Sequence, residues 1–256
     1  MIKATSTPES LVKAPSAFVV SGAVVLLFAG ALLFGVVMAG GEIWDINPSS
    51  AFPTIWNNLG GLYFGILLPI LIASIVAALM QPEYQRKNIR WINSQPGGSS
   101  YVLREKIQLL VLTCGFIAIM QTLIVIAYGV FSGHSAADGF VQAILSALIS
   151  GVGMFAVGSF YLWVSTFTRS VASTVSIAIG LTVASMAITV VADLMFRSTL
   201  VESILPTTQI ISTSFARNLE AEKMIQSGVL ISIVAIAWAG VFLALSKRRL
   251  SRDILK

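Results

Sequence analysis

The residues able to do covalent or metal chemistry are few and poorly placed for it. His134 is the only histidine and Cys114 the only cysteine of the 256-residue chain. A Ser-His-Asp triad or a His-based metal site would have to rest on His134 alone. A disulfide or a cysteine metal cluster cannot form within one chain. Glu220 and Glu222, near Arg217, resemble a carboxylate pair, but residues two apart diverge on a helix. Neither G-x-x-x-x-G-K-[ST] nor H-E-x-x-H occurs, so the chain carries no P-loop and no zinc-protease helix. Gly151, Gly153 and Gly158 lie mid-run in an apolar segment. They suit close helix packing rather than a nucleotide fingerprint. No catalytic residue, metal site or bound cofactor is expected in this chain.

The chemistry that remains is charge. The segment QPEYQRKNIRWINSQPGGSSYVLREK, residues 81–106, carries Arg86, Lys87, Arg90, Arg104 and Lys106 against only Glu83 and Glu105. Apolar runs long enough to cross a bilayer flank it on both sides. Residues 83–94 favour a helix of about three turns, roughly 18 Å long. Pro82 suits its first turn and Glu83 the positive end of its dipole. Arg86, Lys87 and Arg90 fall on neighbouring faces, and Trp91 sits near membrane level. Pro96 ends the helix, and Gly97 and Gly98 permit a sharp turn. Two readings fit this pattern. A cytosolic partner could push on the membrane domain here, or the segment could be a basic surface helix that only fixes topology.

The rest of the chain must position that segment. It is 56% hydrophobic and only 11% charged, with a mean hydropathy of +0.89, whereas soluble domains carry about 25% charged residues. The charges gather between long apolar runs, as in a polytopic helical membrane protein. The expected fold is all-α with six transmembrane helices, at about 16–38, 60–80, 107–130, 139–163, 171–192 and 228–245. Residues 16–38 are read as a retained first span rather than a signal peptide. Gly61 and Gly65 form a G-x-x-x-G spacing in the second span, and Pro69 is placed to bend it. The 40–58 loop holds Trp44 and Trp56, which suit a membrane boundary, and no Lys or Arg. Residues 165–170 are read as a loop. Of the 16 Lys and Arg, all but Arg197, Arg217 and Lys223 fall on one side of this topology. Both termini are therefore expected in the cytoplasm. The net charge of +5 reflects these anchors rather than a nucleic-acid surface. The spans hold no acid or base between their ends, which disfavours a self-powered secondary transporter.

The order of span, Glu83, basic cluster Arg86–Lys87–Arg90, Pro96 and then Lys106 opening the next span resembles ABC-2-type exporter permeases. The text EYQRKNIRWINSQPGGSSYVLREKIQLL is most similar to the permease subunits of lantibiotic (bacteriocin) immunity transporters. The six-span layout and the Leu205–Pro206 segment before the last span share that likeness. The amino end departs from it, because Pro8 and Pro15 interrupt a segment that many members form as a charged amphipathic helix. The resemblance implies an ABC-2 (type V) exporter membrane domain in a bacterial cell membrane, not itself an enzyme. It implies that 83–94 is a coupling helix, with Glu83, Arg86, Lys87, Arg90, Trp91 and Pro96 engaging a separate cytosolic ATPase. ATP and Mg would be bound by that ATPase. It further implies short re-entrant helices within 196–226, a second permease subunit (alike or different), contact with membrane lipid, and an amphipathic peptide or lipid-like cargo. An intramembrane enzyme and a non-transporting scaffold are the competing functions. A drug or lipid-like cargo is the competing substrate class.

Overall fold

The computed structural model describes residues 63–85, 98–131, 140–196, 205–208, 210 and 221–252. Among them there is no strand. A π-helical turn, Tyr63–Leu67, leads into α1 (Leu68–Gln85). Then come α2 (Gly98–Phe131), α3 (Phe140–Thr168) and α4 (Val171–Phe196). A 3-10 turn, Pro206–Thr208, precedes α5 (Ala221–Arg252). Among the described residues, five helices are long and apolar enough to cross a membrane, at Gly65–Tyr84, Ser100–Leu123, Ile144–Thr168, Val171–Ile188 and Gly228–Ser251. The expected first span, 16–38, lies outside the described residues.

The helices overrun the apolar stretches that announce them. α2 has 34 residues, about 51 Å at 1.5 Å per residue, against a hydrocarbon core of about 30 Å. Its first turns take in the polar residues 98–106, which the sequence places in a loop. α1 likewise continues through Pro82 to Gln85, so Pro82 stands inside a helix. Its ring removes the bond that Ala78 O would receive. Glu83 lies in the last described turn of α1. Pro69 has the same defect in the first turn of α1, where it cannot bond Gly65 O. The wider π turn just before it absorbs the interruption.

α3 is the hub, packed against α1, α2, α4 and α5. Its Met154, Val157, Tyr161 and Leu162 are essentially sealed, together with Leu68, Ile72 and Met80 of α1 and Leu110 and Ile117 of α2. Phe160 and Trp163 of α3 meet Phe242 of α5 in an aromatic cluster extended by Trp238. The glycine reading holds at one position and not at its neighbour. A Cβ on Gly158 would lie 2.6 Å from Leu110 Cδ1, whereas one on Gly151 would make an ordinary 3.8 Å contact with Ala118. Gly65 also makes only ordinary contact, 3.7 Å to Met186, and Gly61 lies outside the described residues.

Serine and threonine hydroxyls inside the helices bond back to carbonyls three or four residues earlier. Ser74 donates to Ile70 O, Thr122 to Ala118 O, Ser159 to Phe155 O and Ser246 to Phe242 O, each at 2.8 Å. This satisfies the hydroxyls where no water is at hand.

α3 and α4 are separated only by Arg169 and Ser170, because residues 165–168 remain helical. Arg169 adopts φ 52°, the left-handed cap usually given to glycine or asparagine. Its N–H donates to Ser165 O at 3.1 Å, and Thr174 N–H donates to Ser170 O at 3.1 Å. The hydroxyls of Thr168 and Thr174 meet across the corner at 2.6 Å.

Candidate functional site

The alternating helices bring the end of α1, the start of α2, the α3–α4 corner and the end of α5 to one end of the bundle. Most charges of the described residues fall there: Glu83, Arg104, Glu105, Lys106, Arg169, Lys247, Arg248, Arg249 and Arg252, whereas Asp193, Glu222 and Lys223 belong to the opposite helix ends. This end is termed the basic end.

Its centre is an ion pair. Lys106 Nζ of α2 lies 2.9 Å from Glu83 Oε1 of α1, with side chains only 7% and 13% exposed. Glu105 is a distant second partner at 3.9 Å and is half exposed. A buried charge is strongly penalised unless paired, so Glu83 and Lys106 each make the other's burial possible. The pair ties together the two helices from which residues 86–97 emerge and so fixes the stem of that segment.

Two cation–π contacts fasten the remaining helices to this stem. Arg169 lies 6.0 Å from the ring centroid of Tyr84, one residue after Glu83. Arg249 of α5 lies 4.7 Å from the ring of Phe167. Between α1 and the α3–α4 corner, Ala77, Met80, Gln81, Tyr84, Ser165 and Arg169 line a crevice with no room for a water molecule. It is a packed joint rather than a ligand pocket.

Of the expected site residues, Glu83 is placed at this stem. Arg86, Lys87, Arg90, Trp91 and Pro96 lie outside the described residues, as does most of the expected 83–94 helix. The described part, Glu83–Gln85, continues α1. Sequence reasoning singled out both Glu83 and Lys106 but did not pair them, and it missed Tyr84 and Arg169. The available signal was that an acid closing one apolar run faces a lysine opening the next.

No curated protein and no solved structure matches the chain. Residues 17–185 match the family model described as ABC-2 family transporter protein. That match covers well over half of the sequence and runs through α1, α2, α3 and most of α4, including both members of the ion pair. With its apolar helices and the charged stem between two of them, the chain belongs to the ABC-2 family of transporter membrane proteins.

Proposed function

We propose that this chain is the permease subunit of an ATP-driven exporter and is moved by a separate cytosolic ATPase that docks on the segment between α1 and α2. Both termini and the basic end then face the cytoplasm, in keeping with the excess of Lys and Arg there. ATP and Mg belong to the ATPase, and closure of its dimer is the source of force. Arg86, Lys87, Arg90 and Trp91 are the contact residues on this reading, with Pro96 ending the contact helix. A second permease subunit completes the pathway. The cargo is an amphipathic peptide of the lantibiotic class, expelled across a bacterial cell membrane. The cargo assignment is supported by sequence likeness alone, strongest around residues 83–110.

The observation that carries the reading is the Glu83–Lys106 pair at 2.9 Å. A push on a loop moves two helices together only if its stem is stiff. Here the stem is closed by a desolvated ion pair, and the crevice behind it has no room for a water molecule. A basic loop that served only to set orientation needs no such closure, since orientation depends on the number of positive charges.

The test is co-purification and hydrolysis. The intact protein should co-purify with a P-loop ATPase and raise its turnover in lipid nanodiscs. Reversing charge at Arg86, Lys87 and Arg90 together should abolish both effects while membrane insertion is kept. Unchanged co-purification and turnover in that variant would remove the docking claim.

A further inference from the structure

At the basic end, we infer that the last turns of α5 and the end of α3 form a binding site for an anionic phospholipid, in the leaflet that this end faces. Phe167 of α3 and Val241, Leu245, Arg248 and Arg249 of α5 build it. The Arg249 guanidinium lies over the Phe167 ring, 4.7 Å from its centroid. That ring is held edge-on by Trp163 at 5.1 Å, and Trp163 packs on Phe242 at 5.6 Å. The platform under the arginine is therefore an extension of the aromatic cluster that joins α3 to α5.

The arginine is held in place but its charge is not answered. Its Nε is sealed from solvent and has no hydrogen-bond partner among the described residues, so the side chain is laid against the protein rather than extended into water. Of its three nitrogens only Nε is sealed in this way. Glu83 and Glu105, the described acids of this end, are both placed at Lys106. Among the described residues no carboxylate pairs with Arg249, nor with its exposed neighbour Arg248. A guanidinium fixed over a ring has lost much of its freedom in advance. Its terminal nitrogens then offer a planar fork that matches phosphate oxygens.

Next to the cations the surface is apolar. Leu245 precedes Arg249 by one turn of α5 and Val241 precedes it by two, so the three share one side of the helix. Val241 is 47% exposed, Leu245 36% and Phe167 50%. The stretch from Val241 to Arg249 is about 12 Å long, a wall along which an acyl chain can lie. Charge at the membrane surface with an apolar wall beneath it fits a phospholipid, whereas a free phosphate needs no such wall. Cations at this end of α5 also complement its dipole and count toward orientation. Both of those effects depend on charge alone, and neither needs an arginine pinned to an aromatic ring. The site rests on the chain spanning a membrane and not on the exporter reading.

The experiment is native mass spectrometry of the full chain in detergent, with added phosphatidylglycerol or phosphatidylcholine. The wild-type chain should hold phosphatidylglycerol the more tightly. Arg248→Gln and Arg249→Gln should each weaken phosphatidylglycerol binding about fivefold, the factor for one basic residue at a lipid surface. Phe167→Leu leaves every charge in place and should still weaken it about two- to fivefold. Arg249→Lys should weaken it as well, because the fork is lost. Lys247→Gln, on the opposite flank of α5, should change it less than Arg249→Gln. Phosphatidylcholine binding should stay at its wild-type level in every variant. Equal effects of Lys247→Gln and Arg249→Gln, with none from Phe167→Leu, would show diffuse attraction to charge and overturn the site. Displacement of the lipid by soluble glycerol phosphate at the same concentration would also overturn it. So would loss of ATPase co-purification in Arg249→Gln with phosphatidylglycerol binding unchanged, which would assign the arginine to a protein partner. Failure of the wild-type chain to co-purify with an ATPase would bear on the exporter reading and leave this result untouched.

Discussion

The two ends of the bundle are closed by different chemistry. At the basic end, α1 and α2 are joined by a full charge pair with both side chains largely desolvated. At the other end, α4 is joined to the Pro206 turn by neutral hydroxyls. Removing one member of a buried ion pair strands its partner and destabilises by about 3–5 kcal/mol. A neutral hydrogen bond contributes only about 0.5–1.5 kcal/mol net. The first joint is therefore the costlier of the two to break. Both depend on α3, the most enclosed of the five helices, whereas only 22% of the α4 span is buried within the chain.

The contrast can be broken from its strong side first. Glu83→Gln or Lys106→Met should destabilise the folded protein by about 3–5 kcal/mol, read as a large fall in the midpoint of thermal unfolding in detergent. The exchange Glu83→Lys with Lys106→Glu should recover more than half of that loss. Equal loss in the exchanged variant would show that packing, and not the charge pair, closes the stem.

The hub can be stressed next. Gly158→Val should destabilise by about 1–3 kcal/mol through overpacking against Leu110. Gly151→Ala and Gly180→Ala should do nothing comparable, since a Cβ at either has room. Thermal unfolding of the three variants side by side checks this, and a similar midpoint for all three would contradict the close approach of α2 and α3.

On the weak side, Ser185→Ala should move the thermal midpoint little, in line with the about 0.5–1.5 kcal/mol of its bond to Thr207. A fall as large as that of Glu83→Gln would erase the contrast between the ends. The smallest effect is expected at the corner. Arg169→Gly relieves a left-handed backbone, worth about 1 kcal/mol. It also loses an exposed cation–π contact, worth about 0.5–1 kcal/mol, so stability should barely change. Arg169→Ala loses the contact and keeps the strain, and should unfold at a lower temperature than Arg169→Gly. The reverse order would refute the corner's geometry.

Hydropathy was enough to locate the apolar cores of the five described helices, because a run of about 20 apolar residues has few other uses. It misplaced helix ends where polar residues stay helical. Ser100 to Lys106 read as loop because charge interrupts the apolar run. Yet Glu83 neutralises Lys106, and the helix continues through it. The α3–α4 corner read as a six-residue loop because the sequence there has no glycine to mark a tight cap. Arg169 takes that conformation instead, with the Thr168 and Thr174 hydroxyls meeting across the corner. Glu83 and Lys106 were each visible as charges at the edge of a span. Their contact joins residues too far apart in sequence for local spacing to reveal. Ser185 and Thr207 carried no signal at all, since isolated hydroxyls are common in apolar helices and usually bond back to their own turn.

The most direct test of the central claim, that force enters between α1 and α2 through a stiff charged stem, is nucleotide hydrolysis by the co-purified ATPase in nanodiscs. It should be measured with the wild-type chain, with Glu83→Lys, with Lys106→Glu and with both changes together. Each single change should abolish the rise in turnover caused by the membrane subunit, and the double exchange should restore it. A wild-type rise in turnover with either single variant would contradict the claim.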